Sequence, residues 1–389
     1  MRRLVILDYF FTPEKGHDRD YDYAIAAEAI RQGVPTEIWS PQRGLRGLPG
    51  YVHERLRSEV NKDKNILLQV IDGLIRGIEL RRIVKSDELD QHCLILIQKV
   101  DYSFMLSFFA ATIGLQVRPR FMVIIRRGLR DHYFGHKLIG ALLISLINFP
   151  FMKYLYARKR FLFWSDSEMI TEQLQKAGIS DARTVPIPHL PDRTSRTKTD
   201  RPKIVGYLGG MRLEKGAALL PGLIEIIMAQ RQDLIFLLHV YLHHGDTTEL
   251  HEIKDRLIVL AARYPQNVEI IDRYLPEKEY KDQLARCVIV LIPYKDYLYG
   301  QRTSGVVAET IACGAWAIVP RGTWMARQAS RYAKIIAFDG FNVAAVSAAL
   351  LACADFVREI DDESLERQID EWYGFHSASN YLGMLKKAG

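Results

Sequence analysis

Two doubly wound, Rossmann-like α/β domains are the fold predicted here, and three observations predict it. Short apolar runs of strand length alternate with amphipathic helical runs from one end of the chain to the other. A length of 389 residues, 48% of them hydrophobic and 25% charged, exceeds what one hydrophobic core usually supports and is the composition of a folded globular protein. The alternation is broken once, at HLPDRTSRTKTDRP, where prolines, hydroxyls and charges read as an interdomain linker.

In the first half, strands are expected at about 3–8, 35–39, 93–98, 120–125, 160–164 and 183–187, with helices between them. The opening MRRLVILDYFFTPEKG has a short apolar run broken by Asp8, so it reads as a first strand and not as a signal peptide. A cytoplasmic protein is therefore expected. The loop from Asp8 to Tyr21 leaves that strand and enters the helix YAIAAEAIRQG; Asp18 or Asp20 can cap the helix with His17 in solvent, or His17 and Asp18 can meet a substrate. FLFWSDSEMITEQLQKAG is the clearest unit, a buried strand, an Asp/Ser cap and an amphipathic helix that Gly178 ends. Domain boundaries follow at 1–189, a linker at 190–202, a second domain at 203–355 and terminal helices at 356–389.

Charge is distributed unevenly. Between Arg118 and Arg160 ten Lys or Arg face one acid, Asp131, a local +9 in a chain whose total is +7. Inside that span LIGALLISLINFPFM, fifteen residues between Lys137 and Lys153, is too short for a straight bilayer crossing, which needs about 20. It is either a core helix with a solvated basic rim or a segment that lies on an anionic membrane surface. No aromatic-basic interleaving or reader motif points to nucleic acid, which is not expected as a partner. Cys93, Cys287, Cys313 and Cys353 are far apart in apolar runs, without CxxC or Cys/His spacing, and read as buried free thiols.

Two stretches of the second half carry the chemistry. In YGQRTSGVVAETIACGAWAIVPRGTW, Arg302-Thr303-Ser304-Gly305 leads from a loop into a helix that includes Val306 and ends at Gly314. A helix start carries unpaired N–H groups and partial positive charge suited to a phosphate, and Glu309, one turn in, can accept ribose hydroxyls. The alternative is an ordinary capped helix with Glu309 on a solvated face. Upstream, KIVGYLGG reads as a buried strand ending at Gly209 and Gly210, followed by MRLEKG, which sets Arg212 and Lys215 in a strand-to-helix turn. Ligands of open α/β sheets collect at such strand ends, and two cations there suit a diphosphate that gains charge as its bond to a sugar breaks. A solvated loop with unrelated charges is the competing interpretation.

In this order the two motifs resemble the C-terminal domain of GT-B glycosyltransferases of the family 4 type, over roughly residues 200–355; residues 1–190 are similar only in general layout. The resemblance implies two Rossmann-like domains facing across a cleft, a terminal helix crossing back to the first domain, and a retaining transfer from a UDP- or GDP-linked sugar to a glycan or polyprenyl-linked acceptor. It places the donor diphosphate on Arg212 and Lys215, the ribose on Glu309, and phosphate and sugar on the Thr303–Val306 backbone. Arg273 and Tyr274 would hold the base, with Tyr294, Tyr299 and Arg302 as cleft wall. His17, Asp18, Arg126, Arg127, Arg130, Asp131 and His132 would face the acceptor; for the last five an ordinary polar loop is the competing interpretation.

One position departs from the pattern. The family's second glutamate, eight residues before Glu309, is Gln301 here, which lacks a carboxylate's charge-assisted hydrogen bonding. That leaves open a non-catalytic subunit of a glycan-assembly complex, and a sugar-nucleotide epimerase on the same architecture. Asp18-Arg-Asp20 and Asp20-Tyr-Asp22 match a manganese-binding pattern of another transferase class, but acids are favoured at a helix start anyway. No metal or cofactor is expected.

Overall fold

The computed structural model describes residues 1–11, 17–41, 48–57, 66–85, 88–100, 103–128, 149–188, 190, 203–242, 246–356 and 362–388. The chain divides into two compact units, Met1–His189 with His376–Gly389, and Leu190–Phe375. The first contains β1 (Arg3–Leu7), α1 (His17–Arg31), β2 (Thr36–Ser40), β3 (Val52–Glu54), α2 (Ile66–Lys85), β4 (Cys93–Ile97), α3 (Phe104–Thr112), β5 (Arg120–Ile124), α4 (149–157), β6 (Phe161–Trp164) and α5 (Glu168–Lys176). The second contains β7 (Lys203–Tyr207), α6 (Leu220–Met228), β8 (Leu234–His239), α7 (Thr248–Arg263), β9 (Val268–Ile271), α8 (Glu277–Arg286) and β10 (Ile289–Leu291). It continues with α9 (Asp296–Tyr299), α10 (Gly305–Ala312), β11 (Trp316–Pro320), α11 (Trp324–Arg327), β12 (Ile335–Phe338), α12 (Val343–Phe356) and α13 (Asp362–Phe375), before α14 (Ala378–Ala388) returns to the first unit.

Each unit is built on a six-stranded parallel sheet, ordered β3-β2-β1-β4-β5-β6 in one and β12-β11-β10-β7-β8-β9 in the other. Counted from its own first strand, each reads 3-2-1-4-5-6, the order of dinucleotide-binding folds. Alternation along the strands explains why both faces are covered. In unit 1, Val5, Leu7, Ile95 and Val123 join one core, while Leu4, Ile6, Leu96 and Met122 join another on the opposite face. Tyr381, Leu382 and Leu385 of α14 complete that second core beside Ile25, Ala26 and Ala29 of α1.

The structure differs from the sequence expectations at three places. The strand expected at 183–187 is a single bridge, Ser165 to Thr184, because Pro186 and Pro188 lack the N–H donors a ladder needs. β3, a short polar segment, escaped notice and pairs with β2 through Ile38–Val52. Of the terminal helices expected to return to the first domain, only α14 does so; α13 stays with unit 2, where the Trp372 indole N–H donates to the Ala308 carbonyl at 3.1 Å. A buried Trp needs a partner for its N–H, and α10 supplies it. All four cysteines are buried and free, and burial pushes the Cys93 and Cys353 thiols up to about 12. Among the described residues no helix is long and apolar enough to cross a membrane.

Candidate functional site

The order of the second sheet sets its topological switch point between β7 and β10, the crevice where ligands of open α/β sheets bind. Just after β7 come Gly209 and Gly210, both at positive φ (97° and 78°), a conformation side chains rarely adopt. A Cβ on Gly209 would stand 3.3 Å from Val306 Cγ2 and 3.5 Å from Lys215 Nζ, so the glycine lets three segments converge. Arg212 then enters a 3₁₀ turn, Leu213–Lys215, closed by Gly216 at φ 82°. A Cβ on Gly216 would fall 2.3 Å from the Pro293 carbonyl oxygen, and the Lys295 N–H donates to the Glu214 carbonyl at 2.9 Å. The turn is therefore wedged against the segment leaving β10.

This wedge fixes Lys215. Its ammonium donates to the Gly209 carbonyl at 2.6 Å and lies 5.7 Å from the Tyr294 ring centre. Burial, reinforced by the Arg212 cation, lowers its pKa to about 8. Arg212 is more than half exposed, 3.7 Å from Glu214. The two cations that the sequence placed in one turn thus differ, one held on the backbone and one reaching outward.

α10 begins beside them. Ser304 adopts an extended conformation (φ −125°, ψ 116°) and its hydroxyl accepts from the Val307 N–H at 3.4 Å, a standard cap. The earlier N–H groups of such a turn have no partner within the helix. Glu309 is 2% exposed, which excludes a solvated face, and its Oε2 accepts the Tyr280 hydroxyl at 2.9 Å. Burial and the neighbouring carboxylate hold Tyr280 protonated, well above the usual phenol range. Tyr280 went unnoticed in a charged helix; the available signal is its i,i+4 spacing to Leu284, the buried face of α8. Tyr294 and Tyr299 pack at 4.5 Å between ring centres, and the Arg302 guanidinium lies 5.0 Å from the Tyr299 ring. Gln301 and Thr303 are half-buried in the same loop.

A third group stands at the ends of β8 and β9. His239, 6% exposed, places Nε2 at 2.9 Å from the Arg273 carbonyl, so Nε2–H donates and Nδ1 is an acceptor. That Nδ1 is buried without a protein partner. Desolvation lowers the pKa of His239, and the Lys215 and Arg273 charges add to the effect, so the ring is neutral. Its ring lies nearly parallel to Tyr241 at 6.3 Å and 13°, and Tyr241 meets Tyr274 edge-on at 6.3 Å. Tyr274 is 40% exposed, whereas the Arg273 guanidinium pairs with Glu279 at 2.6 Å. His239 and Tyr241 were missed; the signal available was two ring side chains at the carboxyl end of the buried run LIFLLHVY.

The unit 1 candidates behave differently. The side chains of His17 and Asp18, and the whole of Arg130, Asp131 and His132, lie outside the described residues. Asp20 pairs with Arg19 at 3.1 Å, and Asp22 accepts from the Gln98 amide at 3.1 Å. Arg126 donates to Gln98 Oε1 at 3.0 Å, lies 3.6 Å from Asp166, and covers the Tyr21 ring at 3.9 Å. Its guanidinium thus serves an internal network. Arg127 is half-buried. Within the basic span, Arg120 donates to the Ala388 carbonyl and Arg158 to the Leu115 carbonyl, while residues 129–148, most of the apolar segment, lie outside the described residues. Among the described residues no group of three or more His, Cys, Asp or Glu is placed to hold a metal.

No protein-family model matches the sequence, and no curated relative matches it. Solved structures do match in shape. A glycosyltransferase from Rickettsia africae superimposes with a TM-score of 0.67 at 11% identity, over 99% of this chain and 97% of that one. A sucrose-phosphate synthase from Thermosynechococcus elongatus gives 0.68 at 11% identity, over 100% and 98%. The HepE protein of Anabaena in complex with UDP gives 0.62 at 12% identity, over 99% of each chain. The chain has the GT-B fold, two six-stranded Rossmann-like units, shared with these proteins.

Proposed function

We propose that this chain is a glycosyltransferase that moves a sugar, with retention, from a nucleotide-diphosphate sugar to a glycan or lipid-linked acceptor in polysaccharide or glycoconjugate assembly. One observation carries the proposal: a half-buried ammonium, Lys215, is fixed on the Gly209 carbonyl at the switch point of unit 2, with the first turn of α10 alongside. Such a site suits a diphosphate. As the bond between anomeric carbon and diphosphate breaks, Lys215, Arg212 and the Ser304–Gly305 helix start stabilise the leaving charge, and the acceptor hydroxyl attacks from the face just vacated and gives its proton to the departing diphosphate oxygen. Glu309, aimed by Tyr280, takes the ribose, and Tyr274 with Tyr241 offers faces on which a base stacks.

These cations and the helix dipole would do the work of a metal, so the proposed transfer needs none, and the nucleotide sugar is a substrate with no resident cofactor. The UDP bound by the Anabaena protein makes uridine the first base to test. The acceptor is assigned to unit 1, and the span 118–160 to an anionic membrane on the cytoplasmic side. Gln301, in place of the family's glutamate, favours as second reading a non-catalytic subunit that keeps nucleotide affinity.

The test is a thermal-shift panel of UDP, GDP, ADP, TDP and CMP and their sugar conjugates, with and without EDTA, followed by donor turnover. A rise in Tm with one nucleotide family, insensitive to EDTA and lost in Glu309→Ala, supports the donor site. Binding without turnover of any sugar conjugate moves the assignment to the non-catalytic subunit. No shift with any nucleotide removes both.

A further inference from the structure

Helix α2 has two apolar faces where a helix that covers a sheet needs one. Its inner face, Gly73, Arg76, Gly77, Leu80 and Val84, is buried. Close approach to α3 fixes it there: a Cβ on Gly77 would fall 2.8 Å from that of Ala110, and one on Gly73 would fall 3.1 Å from that of Ser103. Arg76 donates to the Ser103 hydroxyl at 3.0 Å, with its guanidinium 4.3 Å from the Phe104 ring. At about 100° per residue, the opposite side carries Leu68, Ile71, Leu74, Ile75 and Ile78. These are 44–58% exposed, the densest run of exposed large apolar side chains among the described residues.

An exposed aliphatic face of this extent marks an interaction surface, because each side chain left in water forgoes the gain of burial. The charges around it say which kind. Arg82 and Lys85 continue the same face in the last turn and are exposed. A cavity of about 370 Å³ joins Ile75, Ile78 and Ile83 to Arg55, Arg57, Arg82 and one acid, Glu79, and Arg55 is paired with Glu88. Ile113, 48% exposed, follows α3, and Arg81 of α2 donates to its carbonyl at 2.7 Å. The acids of α2 stand to one side of the stripe, and Glu79 accepts the Arg57 backbone N–H. Aliphatics flanked by long cationic side chains are what a helix needs to lie in a bilayer interface, apolar stems among acyl chains and cations at the phosphates.

We infer that the outward face of α2 is a docking surface for an anionic membrane, with Leu68, Ile71, Leu74, Ile75 and Ile78 inserted and Arg82 and Lys85 on lipid phosphates. This surface lies outside the span 118–160, and it stands independently of the donor-site reading.

The experiment is co-sedimentation of the full chain with phosphatidylcholine vesicles, with and without phosphatidylglycerol. The wild-type chain should partition onto the anionic vesicles and release as salt rises. Ile75→Ser/Ile78→Ser should weaken that partition about tenfold or more, and Arg82→Gln/Lys85→Gln should weaken it on anionic vesicles only. Melting curves confirm that both variants are folded, and the charge pair alone decides the matter if the serine pair is not. Absence of wild-type binding to anionic vesicles overturns the inference, as does binding that neither pair alters. A wild-type dimer that the serine pair dissociates, with vesicle binding unchanged, assigns the face to a second copy instead. UDP melting shifts, measured without lipid, keep the two proposals apart: vesicle binding through α2 without nucleotide binding sinks only the transferase reading, and the reverse sinks only this one.

Discussion

At the carboxyl end of β7 the chain places two left-handed glycines and an ammonium bonded to backbone; beside the matching strands of the other sheet, β1 and β4, it places side chains that bond one another. There Gln98, just after β4, donates to Asp22 and accepts from Arg126 and, at 3.4 Å, from Tyr381 of α14. Asp22, Gln98 and Tyr381 are all under 5% exposed. The strand order is the same in both units, so topology locates a crevice in each. What occupies it is a matter of side chains: unit 2 brings backbone and cations close by leaving out Cβ atoms, whereas unit 1 fills the position with a buried polar network that ties the last helix to the sheet.

The largest effect should come from closing the glycine wedge. Gly216→Ala adds a Cβ at a positive φ and against the Pro293 carbonyl, and should cost unit 2 about 2–4 kcal/mol and abolish nucleotide-induced melting shifts. An alanine variant that still binds UDP like wild type would break the contrast between the units. Next, Tyr280→Phe removes a hydrogen bond to a buried carboxylate and should lower stability by about 1.5–3 kcal/mol, with Glu309→Gln weakening nucleotide affinity while leaving Tm nearly intact. Gln98→Leu sharpens the comparison from the other side, since it should destabilise unit 1 by about 1–2 kcal/mol, read by urea unfolding, and leave nucleotide affinity unchanged.

The most gradual effect is the pH dependence of Lys215. Its pKa of about 8 in the folded chain lies below the ordinary 10.5, so between those values the folded state binds fewer protons than the unfolded one and stability rises with pH. Binding of an anion demands the charged form. Affinity for a nucleoside diphosphate should therefore fall above pH 8, by up to about tenfold per pH unit, and Lys215→Met should flatten the profile. A wild-type profile that stays level from pH 7 to 10 (~three units across the Lys215 window) would show that this ammonium does not meet the ligand.

Much of the candidate site was legible because its determinants are local. Gly209 and Gly210 announce a left-handed strand end, Ser304 before VVAETIACG announces a capped helix, and Gly314 its close at φ 65°. Arg212 and Lys215 share a turn by spacing alone. Illegible were the partners supplied from elsewhere in the chain. Tyr280 lies 29 residues from Glu309, His239 34 from Arg273, and Tyr381 283 from Gln98. Arg126 read as an acceptor-facing cation because no local feature shows that Gln98 and Asp166 surround it.

Period and composition by themselves determined that this chain is two alternating α/β halves with a break near residues 189–202, since strand and helix periodicity is dictated by which neighbours share a face. Only the tertiary structure decided that α14 belongs to unit 1 while α13 stays on α10, that Lys215 is fixed and Arg212 exposed, and that among the described residues one face of α2 is left exposed. An apolar stripe in sequence says that a surface seeks cover. Which stripe finds it depends on packing between elements distant along the chain, which local propensity does not encode.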